Sequence, residues 1–577
     1  MNEIIFVSCF VQIYNDIIPH NERTYDWRIN HFKSLLKTGI TCVIFISPLF
    51  EPKFKFLRLI YPNLTYKIID IYKELPLFAN KPLTPTLPQV RNDKKDTYEY
   101  MALMNSKLHL ILMAMLVNPK AQYFAWIDFN IPYIFKEPDM TFSFLSFLAR
   151  RPQLKPQFLY IPGCWNPLPT NAPLITDAVQ WRFCGGFFIG DKASLLEFNS
   201  AVVNNQREQF IDPARMVWET NYWAFLECNG KWRPSHWVYV SDHDDTMITK
   251  FPTELYITPL MWLHSLPFSE PNIPVPGYHA SSISYTKEET TNIEYLVCRM
   301  INYKLSDDGR QYIYDMLPHT IQNINILINT SNNIATIIDT SNMIEHTGSY
   351  SRGLEDMRIY PDMTFSANSV SFTNGNTPQI VYGSLDPLKG VVTARHIKSP
   401  RNDAECEKNW IFIDSPGDSE VKRFIYRWSP YEIGVLESGA DTVNIVQRVA
   451  LSPQYIFKNM RGSTNFTPFC ISKPGGDNWL VGVSHYSIDQ PYYSDIVRKY
   501  YHCMVLLHPE TLVPHYITNP FTFCEKQAIE FCIGMRYNED DGIFTFWVSI
   551  MDQSPIIFFI HRDSVEFTIP IGRTMVP

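Results

Sequence analysis

The segment Trp126-Ile127-Asp128-Phe129-Asn130 ends a hydrophobic run on an acid and follows it, two residues later, with an amide. Positions two apart on an extended chain share a face, so Asp128 and Asn130 can present hard oxygen atoms to one divalent cation, Mn²⁺ or Mg²⁺. Asn130 is neutral, which weakens such a site relative to a pair of acids. An acid capping a strand–loop junction is the plainer alternative. Three more segments carry related chemistry. Cys184-Gly185-Gly186-Phe187-Phe188-Ile189-Gly190 brackets an aromatic strand with glycines, where backbone can approach a ligand closely. Met216–Ala224 sets Glu219 and Asn221 among aromatic residues, as a sugar-binding helix face would. Val240–Asp245 places His243 among Asp242, Asp244 and Asp245. A packing strand, an amphipathic helix face and a solvated charge cluster are the structural alternatives. The order acid strand, glycine strand, acidic helix and late histidine is harder to reach by chance than any one piece.

The second half carries polar islands in an apolar background. They are Ile301–Tyr303, Gly353–Arg358 (GLEDMR), Glu407–Trp410 (EKNW), Arg461–Ser463, Val483–His485, Tyr501-His502, Ile529–Phe531 and Asp552. Such spacing fits repeated units that each lend a group to a central funnel, with Asp356, Arg358, Glu407, Asn409, Arg461, His485, Glu530 and Asp552 as glycan-binding candidates. For any single island, a satisfied contact between repeats is the competing reading. Asp356 is the candidate acid. Hydrolysis needs a second carboxylate across the bond, for which Glu407, Glu530 and Asp552 are available. Phosphorolysis needs cations instead, and Arg358, Arg461 and His485 could supply them. Binding is favoured, because no second carboxylate can be set opposite Asp356 from sequence.

The elements that must position these residues differ between the halves. Up to residue 265, strand and helix alternate. Ile4–Ile13 and Thr41–Ser47 read as strands, Trp27–Thr38 and Thr97–Asn118 as helices, and Tyr66–Gln89 as an extended stretch with a proline-rich loop. This alternation predicts an α/β, Rossmann-like domain with a mostly parallel sheet, and ligands at the carboxyl ends of its strands, where Asp128 would lie. Pro267–Pro276 holds four prolines, so 266–287 is expected to be a stiff linker. From 288 to 577, short apolar-aromatic runs separated by turns predict an all-β domain, a five-bladed propeller.

Composition bounds the partners. Apolar residues are 45% and charged residues 19%, as in ordinary globular chains, and a net charge of −8 lacks the basic footprint of a nucleic-acid binder. Eleven cysteines with no C-x-x-C pair favour a reducing compartment. Met1–Tyr14 has no basic leader, and Leu108–Val117 is about half of the ~20 residues a membrane span needs. The chain therefore reads as soluble and cytoplasmic, without signal peptide or membrane span.

Residues 1–250 resemble the WlaTC/HtrL-type glycosyltransferases. The likeness rests on Trp126–Phe129, Gly185–Gly190, Trp218–Ala224 and Asp242–Asp244, with Asp96-Thr97 and Lys107 upstream. It implies a GT-A fold, a divalent metal (Mn²⁺ or Mg²⁺) and a nucleotide-sugar donor, with a glycan or glycoprotein as acceptor. By the same likeness Asp128, Asn130 and His243 would hold the metal. Lys107, Asp128, Gly185 and Gly186 would meet the nucleotide-sugar, and Glu219 would face the acceptor as base or orienting group. The departure is Asn130, where many GT-A enzymes carry a second acid. Residues 288–577, through E-D-M-R and E-K-N-W, resemble the five-bladed propellers of the β-mannoside phosphorylase and glycosidase clan. The nearest resemblance is to a glycosyltransferase-linked branch of bacteria and large DNA viruses. That implies glycan binding in the funnel, with Asp356 as the acid of active members. The expectation is a metal-assisted glycosyltransferase whose propeller binds or processes the glycan. The alternatives are a lectin-like protein without catalysis, and a propeller acting as phosphorylase or mannosyltransferase.

Overall fold

The computed structural model describes residues 4–13, 24–149, 154–170, 176–206, 214–252, 255–256, 260, 262–269, 275–314, 319–373, 375–401, 406–413, 421–452, 454–470, 478–490, 495–524, 529–567 and 569–575. The chain forms two compact units, Met1–Tyr256 with Pro453–Tyr455, and Ile257–Ser452 with Ile456–Pro577.

The first unit is built on a six-stranded mixed sheet. Its strands are β1 (Ile4–Phe10), β2 (Thr41–Ile46), β3 (Leu64–Ile68), β4 (Tyr123–Ile127), β5 (Leu159–Tyr160) and β6 (Phe187–Asp191), in spatial order β3-β2-β1-β4-β6-β5. β3, β2, β1 and β4 run parallel, whereas β6 is antiparallel to both β4 and β5. All five residues of β4 are buried, as expected of a strand covered on both faces. The helices that matter for the site are α1 (Tyr25–Lys37), α2 (Tyr98–Asn105), α3 (Lys107–Val117) and α4 (Glu219–Cys228). The single helix expected over Thr97–Asn118 is instead α2 and α3, bent by 45°. The break falls at Ser106, whose hydroxyl bonds back to the Ala102 carbonyl at 2.7 Å, a bond that competes with the helical ladder. The break sets Lys107 at the first turn of a new helix. No single helix among the described residues is long and apolar enough to cross a membrane.

The second unit is a five-bladed β-propeller. β7 (His264–Pro267) comes first in sequence. Blade one contains β8 (His279–Lys287), β9 (Glu294–Ile301), β12 (Ile321–Asn329) and β13 (Ile334–Ile337). A hairpin of β10 (Tyr303–Leu305) and β11 (Tyr312–Tyr314) sits between β9 and β12. Blade two runs Glu355–Ile359, Thr364–Ser369, Gln379–Asp386 and Val391–Ile397. Blade three runs Ile411–Ile413, Val421–Trp428, Tyr431–Glu437 and Asn444–Ser452, with Gly572–Met575 added outside. In blade four, Arg461–Gly462 and Thr467–Cys470 both pair with Asn478–Asp489, followed by Arg498–Leu507 and Pro514–Ile517. Blade five takes Glu530–Asn538, Ile543–Ile550 and Ser554–His561 from the end of the chain, and β7 supplies its outermost strand.

Apolar faces of successive blades pack on one another. Val297 and Leu327 of blade one meet Met357 and Val381 of blade two, and Tyr382 of blade two meets Phe412 and Phe424 of blade three. Phe469 and Met504 of blade four meet Phe544 and Phe546 of blade five. Trp547 of blade five stacks on Tyr285 of blade one at 5.3 Å, which closes the ring. The expected linker is thus corrected. Leu266-Pro267 and His279–Lys287 are strand, recruited because an open propeller would leave two sheet faces uncovered, and residues 270–274 of that segment lie outside the described residues.

Candidate functional site

In the first unit, chain register brings the separated motifs together. Ile127 of β4 pairs with Phe187 of β6, so Asp128 and Gly186 become neighbours, and the Asp128 N–H donates to the Gly186 carbonyl at 2.9 Å. Both lie at the carboxyl end of the parallel strands, in a cleft that Cys9–Ile13, from the end of β1 onward, also lines. A cleft of about 480 Å³ opens here, lined among others by Lys107, Asp128, Asn130, Gly185, Glu219 and His243.

Its floor is an ion cluster. The Lys107 ammonium, 2% exposed, donates to Gly185 O at 2.8 Å and Glu219 Oε1 at 2.7 Å, and lies 3.2 Å from Asp128 Oδ1. Burial alone would lower the Lys107 pKa, but Asp128 and Glu219 hold it above the usual lysine range. Two of the ammonium's three N–H bonds go to Gly185 O and Glu219 Oε1, and Asp128 is held as an ion pair. Lys107, expected to meet the nucleotide-sugar, lines the cleft and is engaged with the two carboxylates. Gly185 is required by this packing, since a Cβ there would stand 2.1 Å from Glu219 Oε1. At Gly186 a Cβ would come within 3.4 Å of His243 Nε2 and of Met247 Sδ.

Asp128 Oδ1 also accepts the Trp126 indole N–H at 2.6 Å, while its Oδ2 has no partner among the described residues. Asn130 Oδ1 is enclosed without a hydrogen bond, and a half-turn of the amide would exchange it with Nδ2. His243 lies against the Trp181 ring at 5.0 Å. Burial lowers its pKa, against the pull of Asp128, which keeps the imidazole neutral and fit to ligate. The three acids around it face away. Asp242 and Asp244 each bind Lys136 at 2.9 Å, and Asp245 accepts from the Glu137 N–H at 2.7 Å and Thr141 Oγ1 at 3.0 Å. Among the described residues no group of three His, Cys, Asp and Glu side chains could hold a metal ion alone. Asp128, Asn130 and His243 all line this cleft.

In the propeller, the first strand of each blade begins at the same end of the ring. Glu355 and Asp356 open blade two, Lys408 and Asn409 precede Ile411 in blade three, and Arg461 opens blade four. Asp552 follows Ile550, which pairs with Glu530 at the start of blade five, and Tyr303 follows Ile301, which pairs with His279 at the start of blade one. Asp356 is buried with φ +52°, at the bulge between Glu355 and Arg358. Its Oδ1 accepts Ser282 Oγ and Arg299 Nη1, each at 2.9 Å. Asp552, also in the left-handed region, accepts the Tyr303 hydroxyl at 3.0 Å. Burial and the charge of Asp356 raise its pKa against the pull of Arg299. Lys408 pairs with Glu355 at 3.0 Å, and Arg461 is exposed.

Four expected funnel residues, Arg358, Glu407, His485 and Glu530, are corrected, because each is buried and bonded inside the fold, whereas Asn409 is half-buried. Arg358, 1% exposed, donates to Ser463 O at 2.7 Å and to Asn409 Oδ1 at 3.0 Å, joining blades two, three and four. Glu407 accepts from Ser399 at 2.6 Å, Tyr426 at 2.7 Å and Trp410 at 2.9 Å. His485 Nδ1 is 2.7 Å from Ser463 Oγ. Glu530 accepts the Phe523 and Cys524 N–H groups at 2.8 and 2.9 Å. Of the other expected funnel residues, Arg461 is exposed, Asp356 is buried against Arg299 and Asp552 accepts from Tyr303. Arg299 was missed, although an arginine inside the apolar strand EYLVCRMI signals a buried partner. Glu355 and Lys408 were seen only as motif letters.

No family model matches the chain, and no curated protein matches it either. Solved structures similar to it include a mannose phosphorylase from Leishmania mexicana in complex with phosphate ion, at 13% identity over 54% of this chain and 92% of that one, TM-score 0.32. A glycosyl hydrolase from Bacteroides ovatus matches at 10% identity over 54% and 94%, TM-score 0.32. The GH93 α-L-arabinofuranosidase of Fusarium graminearum, solved with arabinobiose, matches at 11% over 52% and 99%, TM-score 0.28.

Proposed function

We propose that the cleft of the first unit binds a nucleotide-sugar and transfers its glycosyl group to a hydroxyl of a glycan or glycoprotein. The reading rests on one observation above all. Asp128, Asn130 and His243 line one cleft together with the Lys107–Glu219 pair. A divalent cation held by Asp128 Oδ2, the Asn130 amide oxygen and His243 would neutralise charge on the departing diphosphate.

The other roles belong to the chain itself. Lys107 holds Asp128 and Glu219 in place, so neither has to reorganise during reaction. Glu219 Oε2, which has no partner among the described residues, orients the acceptor hydroxyl or takes its proton as the new bond to the anomeric carbon forms. Gly185 and Gly186 keep the wall low enough for the sugar to approach.

The propeller end that carries Asp356, Asp552, Arg461 and the Glu355–Lys408 pair is proposed to bind the glycan. Acid and cation side by side suit vicinal hydroxyls, which both donate and accept. The deciding experiment is calorimetry of the full chain with a panel of nucleotide-sugars, with and without Mn²⁺. Mn²⁺-dependent binding of one donor, followed by its turnover, is expected. Failure of every donor to bind would remove the transferase reading.

A further inference from the structure

Two thiols meet immediately before the glycines that line the cleft. Cys164 and Cys184 are 20 residues apart in sequence, and their Sγ atoms stand 3.7 Å apart. Both are free cysteines; Cys184 is buried and Cys164 half-buried.

The backbone fixes this meeting. The Cys164 N–H donates to the Trp181 carbonyl at 2.9 Å, and the Cys184 N–H donates to the Pro162 carbonyl at 2.7 Å. Gly163 lies between these bonds, and a Cβ there would stand 1.8 Å from the Arg182 carbonyl oxygen, so only glycine permits the approach. Arg182 clamps the same segments. Its guanidinium forks onto Glu227 at 2.5 and 2.6 Å and donates to the Trp165 carbonyl at 3.0 Å.

Cys184 is also covalently next to the cleft wall. The Gly185 carbonyl after it accepts from Lys107 at 2.8 Å, and the Gly186 carbonyl accepts the Asp128 N–H at 2.9 Å. A disulfide needs sulfurs ~2.05 Å apart. Closing the present gap has to move one segment, and the contact at Gly163 stops the Cys164 segment from coming nearer. The shift therefore falls on Cys184 and the two glycines that follow.

We propose that Cys164 and Cys184 are a redox modification site, a reversible disulfide that reshapes the glycine wall of the cleft. Cys164, the reachable thiol, reacts first. The hydrogen bond between the two sulfurs lowers the Cys164 pKa and raises that of Cys184, and burial raises Cys184 further. With a small disulfide such as oxidised glutathione, Cys164 gives its proton to water and its sulfur attacks, releasing one glutathione thiolate and leaving a mixed disulfide. Cys184 Sγ then loses its proton and attacks Cys164 Sγ, and the second glutathione thiolate leaves. The protein gives up two electrons and two protons, and oxidised glutathione becomes two molecules of glutathione. The site is independent of what the cleft binds.

The test equilibrates the full chain in glutathione buffers of stepped redox ratio, quenches in acid, alkylates and maps the peptides by mass. A Cys164–Cys184 cross-link that grows with oxidation and vanishes with dithiothreitol is expected. Exposed Cys406 should take up glutathione and so report that the buffers react. Cys184→Ser should stop at a glutathione adduct on Cys164, and Cys164→Ser should leave Cys184 reduced. Amide exchange at Asp128 should quicken about tenfold or more in the cross-linked protein, because its acceptor on Gly186 has shifted. Recovery of both wild-type cysteines as alkylated thiols, with Cys406 modified, overturns the proposal whether or not the variants fold. A cross-link with unchanged Asp128 exchange overturns its effect on the cleft.

Discussion

Lys107 and Glu219 stand 112 residues apart in sequence, yet Lys107 Nζ lies 2.7 Å from Glu219 Oε1 with both side chains almost fully buried. The pair ties the first turn of α3 to the first turn of α4, under the glycine strand. An ammonium at a helix N-terminus is unfavourable by itself, and here two carboxylates offset it.

Removing one partner of such a pair leaves an unpaired buried charge. We expect Lys107→Met to cost about 3–5 kcal/mol of stability, read from denaturant unfolding of the full chain. The double variant Lys107→Met/Glu219→Gln should recover part of that loss. Equal stability of wild type and Lys107→Met would show that the pair is not formed.

Gly185→Ala forces a Cβ to within 2.1 Å of Glu219 Oε1. The clash must break the Lys107 cluster or push the strand away, so a loss of at least ~1–3 kcal/mol and of donor binding is expected. Normal binding at normal stability would count against the tight fit described here.

Asp128→Ala should abolish transfer while the fold persists, because the side chain is about one-third exposed and part of its bonding lies in the cleft. Loss of charge stabilisation at the leaving group amounts to several kcal/mol of barrier. Near-normal turnover at saturating Mn²⁺ would remove Asp128 from the mechanism.

In the propeller, Arg299→Ala strands Asp356, and a loss of about 3–5 kcal/mol is expected by the same reasoning. Arg461→Ala, at an exposed position, should leave stability within ~0.5 kcal/mol and weaken glycan affinity. Unchanged affinity across a glycan array would remove Arg461 from the funnel site.

Glu530 gives the propeller a pH signature. Burial raises its pKa from 4.5 to about 7, against its two backbone N–H bonds. A raised acid binds more protons folded than unfolded, so its contribution is full below pH ~4.5 and is lost as pH rises through ~7. Buried His502 moves the other way, with a pKa of about 3, and disfavours the folded state as pH falls below ~6.5. Glu530→Gln should therefore remove on the order of 3 kcal/mol of the alkaline-side loss, seen as a flatter stability profile from pH 5 to 8. An unchanged slope would contradict the assignment.

Periodicity and residue type alone determined the two-part character of the chain. Alternating strand and helix marked the first unit, and runs such as Trp410–Ile413 and Phe544–Ile550 marked blades, because burial on one or two faces is written into local apolar pattern. Asp128, Glu219 and His243 were legible as well, since charge inside aromatic or apolar segments needs a reason. Register and long-range pairing were decided by tertiary structure. Pairing of Ile127 with Phe187 is what sets Asp128 beside Gly186. Only the folded chain reveals that Lys107 donates to Gly185 and Glu219 and pairs with Asp128. The same holds for Arg358, Glu407 and Glu530, polar letters that looked like funnel groups and proved to be buried bonds. A side chain's type sets what it can donate or accept, but the partner that satisfies it comes from wherever the chain returns in space. The proline-rich stretch after residue 265 shows the same limit. Its composition suits a linker, yet β7 is drawn into blade five because ring closure buries an edge that sequence cannot display.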